Sequence, residues 1–386
     1  MYDVLRFATG AVREALDAAA GLAVARGMPA PSIELRDDEV VAAFESERRL
    51  RAPGLEGVSG FAGLSRFMPT ADGWIRTHAN YPHHRAALLR VLGEDDPLGA
   101  ARGWSALELE EAIVAQGGCA AAMRTAQEWA ASQPGRAVAE GTVPSVPRGG
   151  ERPLPAVGEL PASGVRVLDL TRVIAGPVGT RYLGALGADV LRIDPPAMPE
   201  LPLQVADGVV GKRLVERDLR ADPLSGAELD AFDVVVHGYR PGALDALGLG
   251  GAELAQRHPH LTVVQLSAWG ADRERRGFDS LVQAAVGIAD ALRGADGTPG
   301  ALPVQALDHA TGYRIAAAAL RGLERRARGG GGEHVRLALA QTAADLMRTR
   351  SDEPWPQVAG PELQPLPDGR AVVPPPGSLW GRPLRF

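Results

Sequence analysis

A chain of 386 residues, 45% of them apolar, is long enough to fill two or three cores. Its formal net charge of −6 argues against a nucleic-acid or polybasic-membrane partner, and it lacks the apolar run of about 18 residues that a membrane span needs. One cysteine, Cys119, leaves no intrachain disulfide and no cysteine metal cluster; the amino terminus shows no basic region followed by an apolar core, so a bacterial-type cytoplasm is the expected location.

Residues 1–60 read as a helical N-terminal segment. Apolar residues recur at helical spacing over 12–25, and Asp37-Asp38 starts a second helix over 39–48. This segment is expected to pack rather than to react. Residues 61–140 read as a small α+β domain. Asp72-Gly73 is a turn signal, and a strand leaves it over 73–78. His78, His83 and His84 invite a metal reading, but adjacent histidines on an extended segment face opposite ways and Pro82 breaks a helical pair. With no acidic ligand between them, a structural or substrate-edge role is expected. Helices follow over 81–92 and 105–115, the latter capped by Ser105, then a small-residue strand over 117–125 and a helix capped by Thr125. Cys119 has no cationic neighbour to activate it and reads as a small buried hydrophobe. Residues 141–163 are a Pro/Gly-rich linker.

Residues 164–350 carry a strand–loop–helix rhythm. The apolar run 165–170 is a buried strand, Pro177 sits in the first turn of a helix over 178–186, Gly187 closes it, and 190–193 is a second strand. A βαβ unit of this length implies parallel pairing with a right-handed crossover, and ligands gather at the carboxyl ends of such strands. Strands recur at 231–237 and 261–267, with a turn over 238–242 and a helix start at 243–247. Helices are expected over 278–289 and 308–327, and 335–346 begins as a strand and ends as a helix. The fold class is therefore α/β: an open, doubly wound, Rossmann-like parallel sheet beside a smaller α+β domain. Residues 351–386 form a Pro-rich C-terminal arm.

Four stretches carry a resemblance: Val165-Arg-Val-Leu-Asp-Leu-Thr-Arg-Val-Ile-Ala-Gly-Pro177, Leu186-Gly-Ala-Asp-Val-Leu-Arg-Ile-Asp194, Arg240-Pro-Gly-Ala-Leu-Asp-Ala-Leu-Gly248 and Gly277-Phe-Asp-Ser-Leu-Val-Gln283. They are similar to the family III CoA-transferases, a superfamily that includes formyl-CoA and carnitine CoA-transferases and α-methylacyl-CoA racemases. Residues 72–140 resemble the family's small domain, which here precedes the nucleotide-binding half, so the chain looks rearranged. The resemblance implies coenzyme A as substrate or acyl-CoA and no metal, with an acyl-CoA or small carboxylic acid as partner. It also implies an interlocked homodimer, with which the linker and arm are compatible. Val173, Ile174 and Ala175 would border the CoA, Arg192 would meet its nucleotide end, and Lys212-Arg213 its phosphates, which favour concentrated positive charge. Lys212 is the only lysine in the chain. Gly238, Tyr239 and Arg240 correspond to a CoA-contacting loop.

The likeness breaks at the chemistry. Family transferases use an aspartate that attacks the thioester; its position here is Gln341, whose carboxamide forms no anhydride. Asp345, one helical turn on, is a substitute candidate. The racemase branch uses a His/Asp acid–base pair; its histidine matches Phe278 and its aspartate Asp308. Asp308 with His309 is thus the acid–base candidate, against a reading in which Asp308 only caps the helix that follows. Adjacent helical residues diverge by about 100°, so both need not face one ligand. Three functions follow: CoA transfer by a modified route, an isomerase or lyase reaction with Asp308 as base, or CoA binding without catalysis.

Overall fold

The computed structural model describes residues 1–58, 60–139, 149, 152–240, 242–270 and 275–386. Helix α1 (Val4–Ala25) begins where Asp3 accepts a hydrogen bond from the Arg6 N–H at 3.0 Å, satisfying an orphan donor of the first turn. Phe7, Ala11, Ala15, Ala19 and Leu22 form its buried stripe, which lies along the long helix Ala306–Ala327. The single helix expected over 39–48 is two: α2 (Asp37–Phe44) and α3 (Ser46–Arg49). Glu45 leaves helical geometry between them (φ −114°, ψ 16°). The break lets Ser46 bury its hydroxyl on Asp207 at 2.8 Å.

Strands β1 (Phe67–Pro69), β2 (Trp74–Thr77) and β3 (Ala120–Ala122) form an antiparallel sheet in that order. Helices α4 (Pro82–Leu92) and α5 (Ala106–Ala115) cover it, α5 capped by Ser105 as expected. Met68, Ile75, Leu88, Leu109 and Ile113 fill the small core between them. Cys119 is buried beside β3, and burial pushes its thiol up to about 12. Of the Pro/Gly-rich linker expected over 141–163, residues 141–148, 150 and 151 lie outside the described residues.

The second half alternates: β4 (Arg166–Leu170), α6 (Ala175–Ala185), β5 (Asp189–Asp194), α7 (Pro202–Gly208), β6 (Arg213–Glu216), β7 (Val234–His237), β8 (Thr262–Ser267), α8 (Asp279–Ala285), α9 (Ala306–Ala327), β9 (Glu333–Ala338) and α10 (Leu339–Leu346). The strands lie in the order β6-β5-β4-β7-β8-β9, every pairing parallel. The chain runs outward from β4, returns, and continues from β7 on the other side. This is the doubly wound order with its switch point between β4 and β7. The helix expected over 278–289 stops at Ala285, because Gly287 turns the chain at φ 93°. The tail folds back on its own chain: Ser378 and Leu379 pair with Glu34 and Ile33, and the Tyr182 hydroxyl donates to Pro376 O at 3.1 Å. Among the described residues, no helix is long and apolar enough to cross a membrane.

Helices α6 and α9 meet backbone to backbone. A Cβ at Gly312 would stand 2.7 Å from Ala175 O and 2.7 Å from Val178 Cβ; at Gly179 it would stand 2.6 Å from Gly312 O. Two glycines thus bring the amino ends of both helices together at the sheet's carboxyl edge. We expect Gly312→Ala to cost about 1–3 kcal/mol through overpacking, read from the denaturant midpoint at unchanged m-value.

Candidate functional site

At the end of β4 the chain builds a dry polar layer. Asp169 is fully buried and accepts from Thr171 N–H (3.0 Å), the Thr180 hydroxyl (2.6 Å) and Lys212 Nζ (2.8 Å). Lys212 Nζ also donates to Pro177 O (3.1 Å) and Thr180 Oγ1 (2.6 Å), and its side chain is 0% exposed. All three ammonium protons are spent inside the protein, and burial, resisted by the Asp169 charge, brings the amine down to about 8. Lys212, expected at the CoA phosphates, lies here as an internal counter-ion. Arg192 is likewise turned inward. It is sealed in the interior, bidentate to Asp194 (2.8 and 3.0 Å) and 3.5 Å from Glu200. Arg213 is exposed but paired with Asp189 at the amino end of β5, away from the strand ends where ligands gather.

The loop after β4 is strained. Val173 has φ 69°, a conformation costly for a β-branched residue, by about 1–3 kcal/mol. Glu200 holds it: the carboxylate accepts from Val173 N–H and Leu201 N–H (2.9 Å each) and from the Tyr81 hydroxyl. Strained residues of this kind gather at functional sites.

Val173 and Ile174 open onto a cleft of about 760 Å³. Leu203 and Gln204 of α7, Phe278 and Ser280 at the start of α8, and Gln305 and Asp308 at the start of α9 complete its sheet-side wall. His78 and Asn80 from the small domain, with residues 47, 48, 50–53, 55–58, 60 and 61, line the rest. Ala175 is buried behind Ile174. Gly238, Tyr239 and Arg240 follow β7 across the switch point, with Gly238 N–H on Leu170 O at 3.3 Å, but they do not line this cleft.

Asp308 is the buried carboxyl of the cleft, and the capping role weighed for it is taken by another residue. The N–H groups of Leu307 and Asp308 are bound by the Asp279 carboxylate, at 2.9 and 3.0 Å. Gln283 donates to the other oxygen of Asp279. Asp279 is fully buried, and burial outweighs these hydrogen bonds, raising it to about 6. Burial, then the neighbouring charges of Asp279 and Glu47, push Asp308 well above the ordinary carboxylate range. Its acid form is thereby favoured.

His309 turns away from the cleft, as the angular spacing allows. Its Nε2 lies 3.1 Å from Glu47 Oε2 and its ring stacks on Phe44 at 5.2 Å. Burial raises Glu47, but the His309 charge and hydrogen bond outweigh it and the carboxyl ends below its usual range. Gln341 and Asp345 lie on α10 outside the cleft wall, and Asp345 pairs with Arg314 (2.7 Å) and with Arg348. The substitution of Asp345 for the expected nucleophile is thus not supported by its position. Glu47 was missed by the sequence reading; a charged residue in a short helical run carries no local mark of burial. Among the described residues, no group of three or more His, Cys, Asp or Glu is arranged to hold a metal ion.

The family profile described as CoA-transferase family III matches residues 162–207 and 228–371. Through that region, this chain belongs to the family III CoA-transferase superfamily. The protein named "Probable fatty acyl-CoA transferase Rv3272" of Mycobacterium tuberculosis is 32% identical over 227 residues, 52% of this chain and 58% of that one. The succinyl-CoA:glutarate CoA-transferase of Homo sapiens is 32% identical over 190 residues (45% and 43%), and the formyl-CoA:oxalate CoA-transferase of Afipia carboxidovorans 26% over 216 (52% and 51%). A crystal structure of Rv3272 superposes with a TM-score of 0.45 at 32% identity, covering 49% of this chain and 58% of that one. The chain thus spans about half the length of the curated relatives it matches. In this family III member, Glu47, His78, Lys212 and Arg213 lie outside the matched residues, while Val173, Phe278, Asp308 and Gln341 lie within them.

Two stability measurements test this geometry. Lys212→Met strands the Asp169 carboxylate in a dry pocket and should cost about 3–5 kcal/mol in urea unfolding. Asp308 binds its proton more tightly folded than unfolded. The stability this gives is present below the ordinary value of 3.8 and is lost as pH rises through the elevated native value. Asp308→Asn removes that loss. Its advantage over the native chain should grow with pH, by up to about 1.4 kcal/mol for each tenfold weakening of the acid.

Proposed function

We propose that the protein acts on an acyl-CoA thioester held in the 760 Å³ cleft, transferring CoA between carboxylic acids with Asp308 as the reactive carboxyl. One observation carries this reading. The Asp308 side chain lines the cleft, is buried, and is free of the capping work that its place in the first turn of α9 would give it. Residue 341 is a carboxamide outside the cleft wall, so the nucleophile passes to a carboxyl within it; of those lining the cleft, Asp308 is the buried one inside the family match, whereas Glu47 is bound to His309.

The step is a displacement. Asp308 first gives its proton to solvent; an oxygen of the resulting carboxylate attacks the thioester carbon, a C–O bond forms, the C–S bond breaks and the CoA thiolate leaves, giving a mixed anhydride. The thiolate then attacks the Asp308 carbonyl, releasing the first acid and leaving an aspartyl-CoA thioester for the acceptor acid. By family likeness we further propose a homodimer, although the arm expected to interlock is paired within its own chain.

The raised proton affinity of Asp308 favours a second reading, in which the same carboxyl takes a proton from the carbon α to the thioester. Mass spectrometry after incubation with acyl-CoA and hydroxylamine separates the two. We expect a hydroxamate on the peptide containing Asp308, absent in Asp308→Asn, with turnover falling by about 10³-fold or more. Deuterium uptake at the α-carbon without an adduct would replace transfer by the second reading. Binding without either would leave a CoA-binding protein with no catalysis.

A further inference from the structure

His78 leaves β2 at the edge of the small domain, and its ring lies flat on Phe278, with centroids 3.6 Å apart and 5° between the planes. Phe278 is the residue before α8, whose first residue, Asp279, holds the backbone of Asp308. The imidazole is therefore anchored to the same piece of structure as the cleft's carboxyl. It is 5% exposed and lines the cleft with Asp308.

Part of its hydrogen-bonding capacity is unspent. The His78 backbone N–H is taken by Cys119 O at 2.9 Å, but the ring Nδ1 is buried without a partner. Leaving a buried polar group unpaired costs about 1–3 kcal/mol, so such a group needs an explanation. The other buried histidines differ. His258 and His309 each pair one nitrogen with a carboxylate, and His84 and His237 are unpaired but do not border the cleft. Of the histidines, the one that lines the cleft is the one fixed by a parallel stack.

We propose that the His78 imidazole is a catalytic residue that donates a hydrogen bond to the carbonyl oxygen of the bound thioester and stabilises the negative charge formed there. The inference rests on the functional reading above and adds a residue to it. Either chemistry puts charge on that oxygen. Carboxylate attack converts the C=O to an oxyanion, which re-forms the carbonyl as the C–S bond breaks. Removal of the α-proton sends the C–H electron pair toward the same oxygen. His78 surrenders no proton in either case. Burial, with His84 and Arg76 adding to it, brings the imidazole down to about 3. It is thus a neutral donor, and in a water-poor cleft an oriented neutral donor is worth more than in water.

The test compares native protein, His78→Phe, which keeps an aromatic ring on Phe278 but removes the donor, and His78→Gln, which keeps a neutral donor. Turnover of an acyl-CoA gives kcat and KM, and calorimetry gives the affinity for free CoA. We expect His78→Phe to bind free CoA as the native chain does, with kcat lower by about 10²-fold or more, as for loss of one oxyanion donor, and KM within about threefold. His78→Gln should recover at least about tenfold of the loss. Should His78→Phe fail to fold, His78→Leu against His78→Gln reads the same donor. A native enzyme that turns over while His78→Phe keeps within about threefold of its kcat overturns the role of His78 alone. So does a loss confined to KM and CoA affinity. A native chain that neither turns over a thioester nor gives heat with CoA overturns the functional reading, and this one with it.

Discussion

A carboxylate buried beneath the amino end of a helix sets the terms for the rest of the site. Asp279 pays desolvation to bind the first free N–H groups of α9, where the helix dipole favours negative charge. The hydrogen bonds do not fully offset burial, and its acid rises to about 6. Three consequences follow from that one contact. The start of α9 is fixed against α8, the Asp308 side chain is released from capping, and two carboxyls are placed too close to ionise independently. The elevated acid of the cleft is thus owed first to burial and next to the charge that satisfies a helix end.

The positive charge near β4 obeys a different constraint. Lys212 reaches a pocket whose acceptors, Asp169, Thr180 Oγ1 and Pro177 O, converge on one point. A compact ammonium with three donors suits that arrangement better than a planar guanidinium, which explains a lone lysine in a chain that otherwise uses arginine. Arg192, by contrast, meets Asp194 with a flat fork. Both cations hold the mouth of the sheet in shape. Glu200, with Arg192 3.5 Å away, accepts from the Val173 N–H and holds its unfavourable φ, so the strain at the cleft is borne by the layer behind it.

The large sheet was legible because parallel strands buried on both faces read as apolar runs, and 165–170, 231–237 and 261–267 each lie on a strand of it. The switch from strand to helix at Ala338 was legible too. Asp308 could be singled out, but not its release from capping, since that depends on Asp279, twenty-nine positions away. The inward pairing of Lys212 and Arg192 was not legible, because sequence shows that a residue is charged, not whether its partner lies inside the fold. Glu47 was invisible for the same reason: its meaning comes from His309, 262 positions along the chain. His78 was noticed among its neighbouring histidines, but its stacking partner, Phe278, belongs to the other half of the chain.

The cleft is consequently a composite. Its sheet-side wall, with Val173, Phe278 and Asp308, lies within residues matched to the family, whereas Glu47, His78 and the apolar stretch around Leu50, Leu55 and Phe61 lie outside them. Glu47 acts on the cleft's surroundings twice over: its charge is one of those that raise Asp308, and it hydrogen-bonds to His309. A family likeness covering about half of each relative therefore speaks to the scaffold that presents Asp308, and only partly to the groups that tune it. On the proposed reading, a bound acyl group would meet a wall to which twelve residues between 47 and 61, all outside the family match, contribute, while Asp308 comes from within that match.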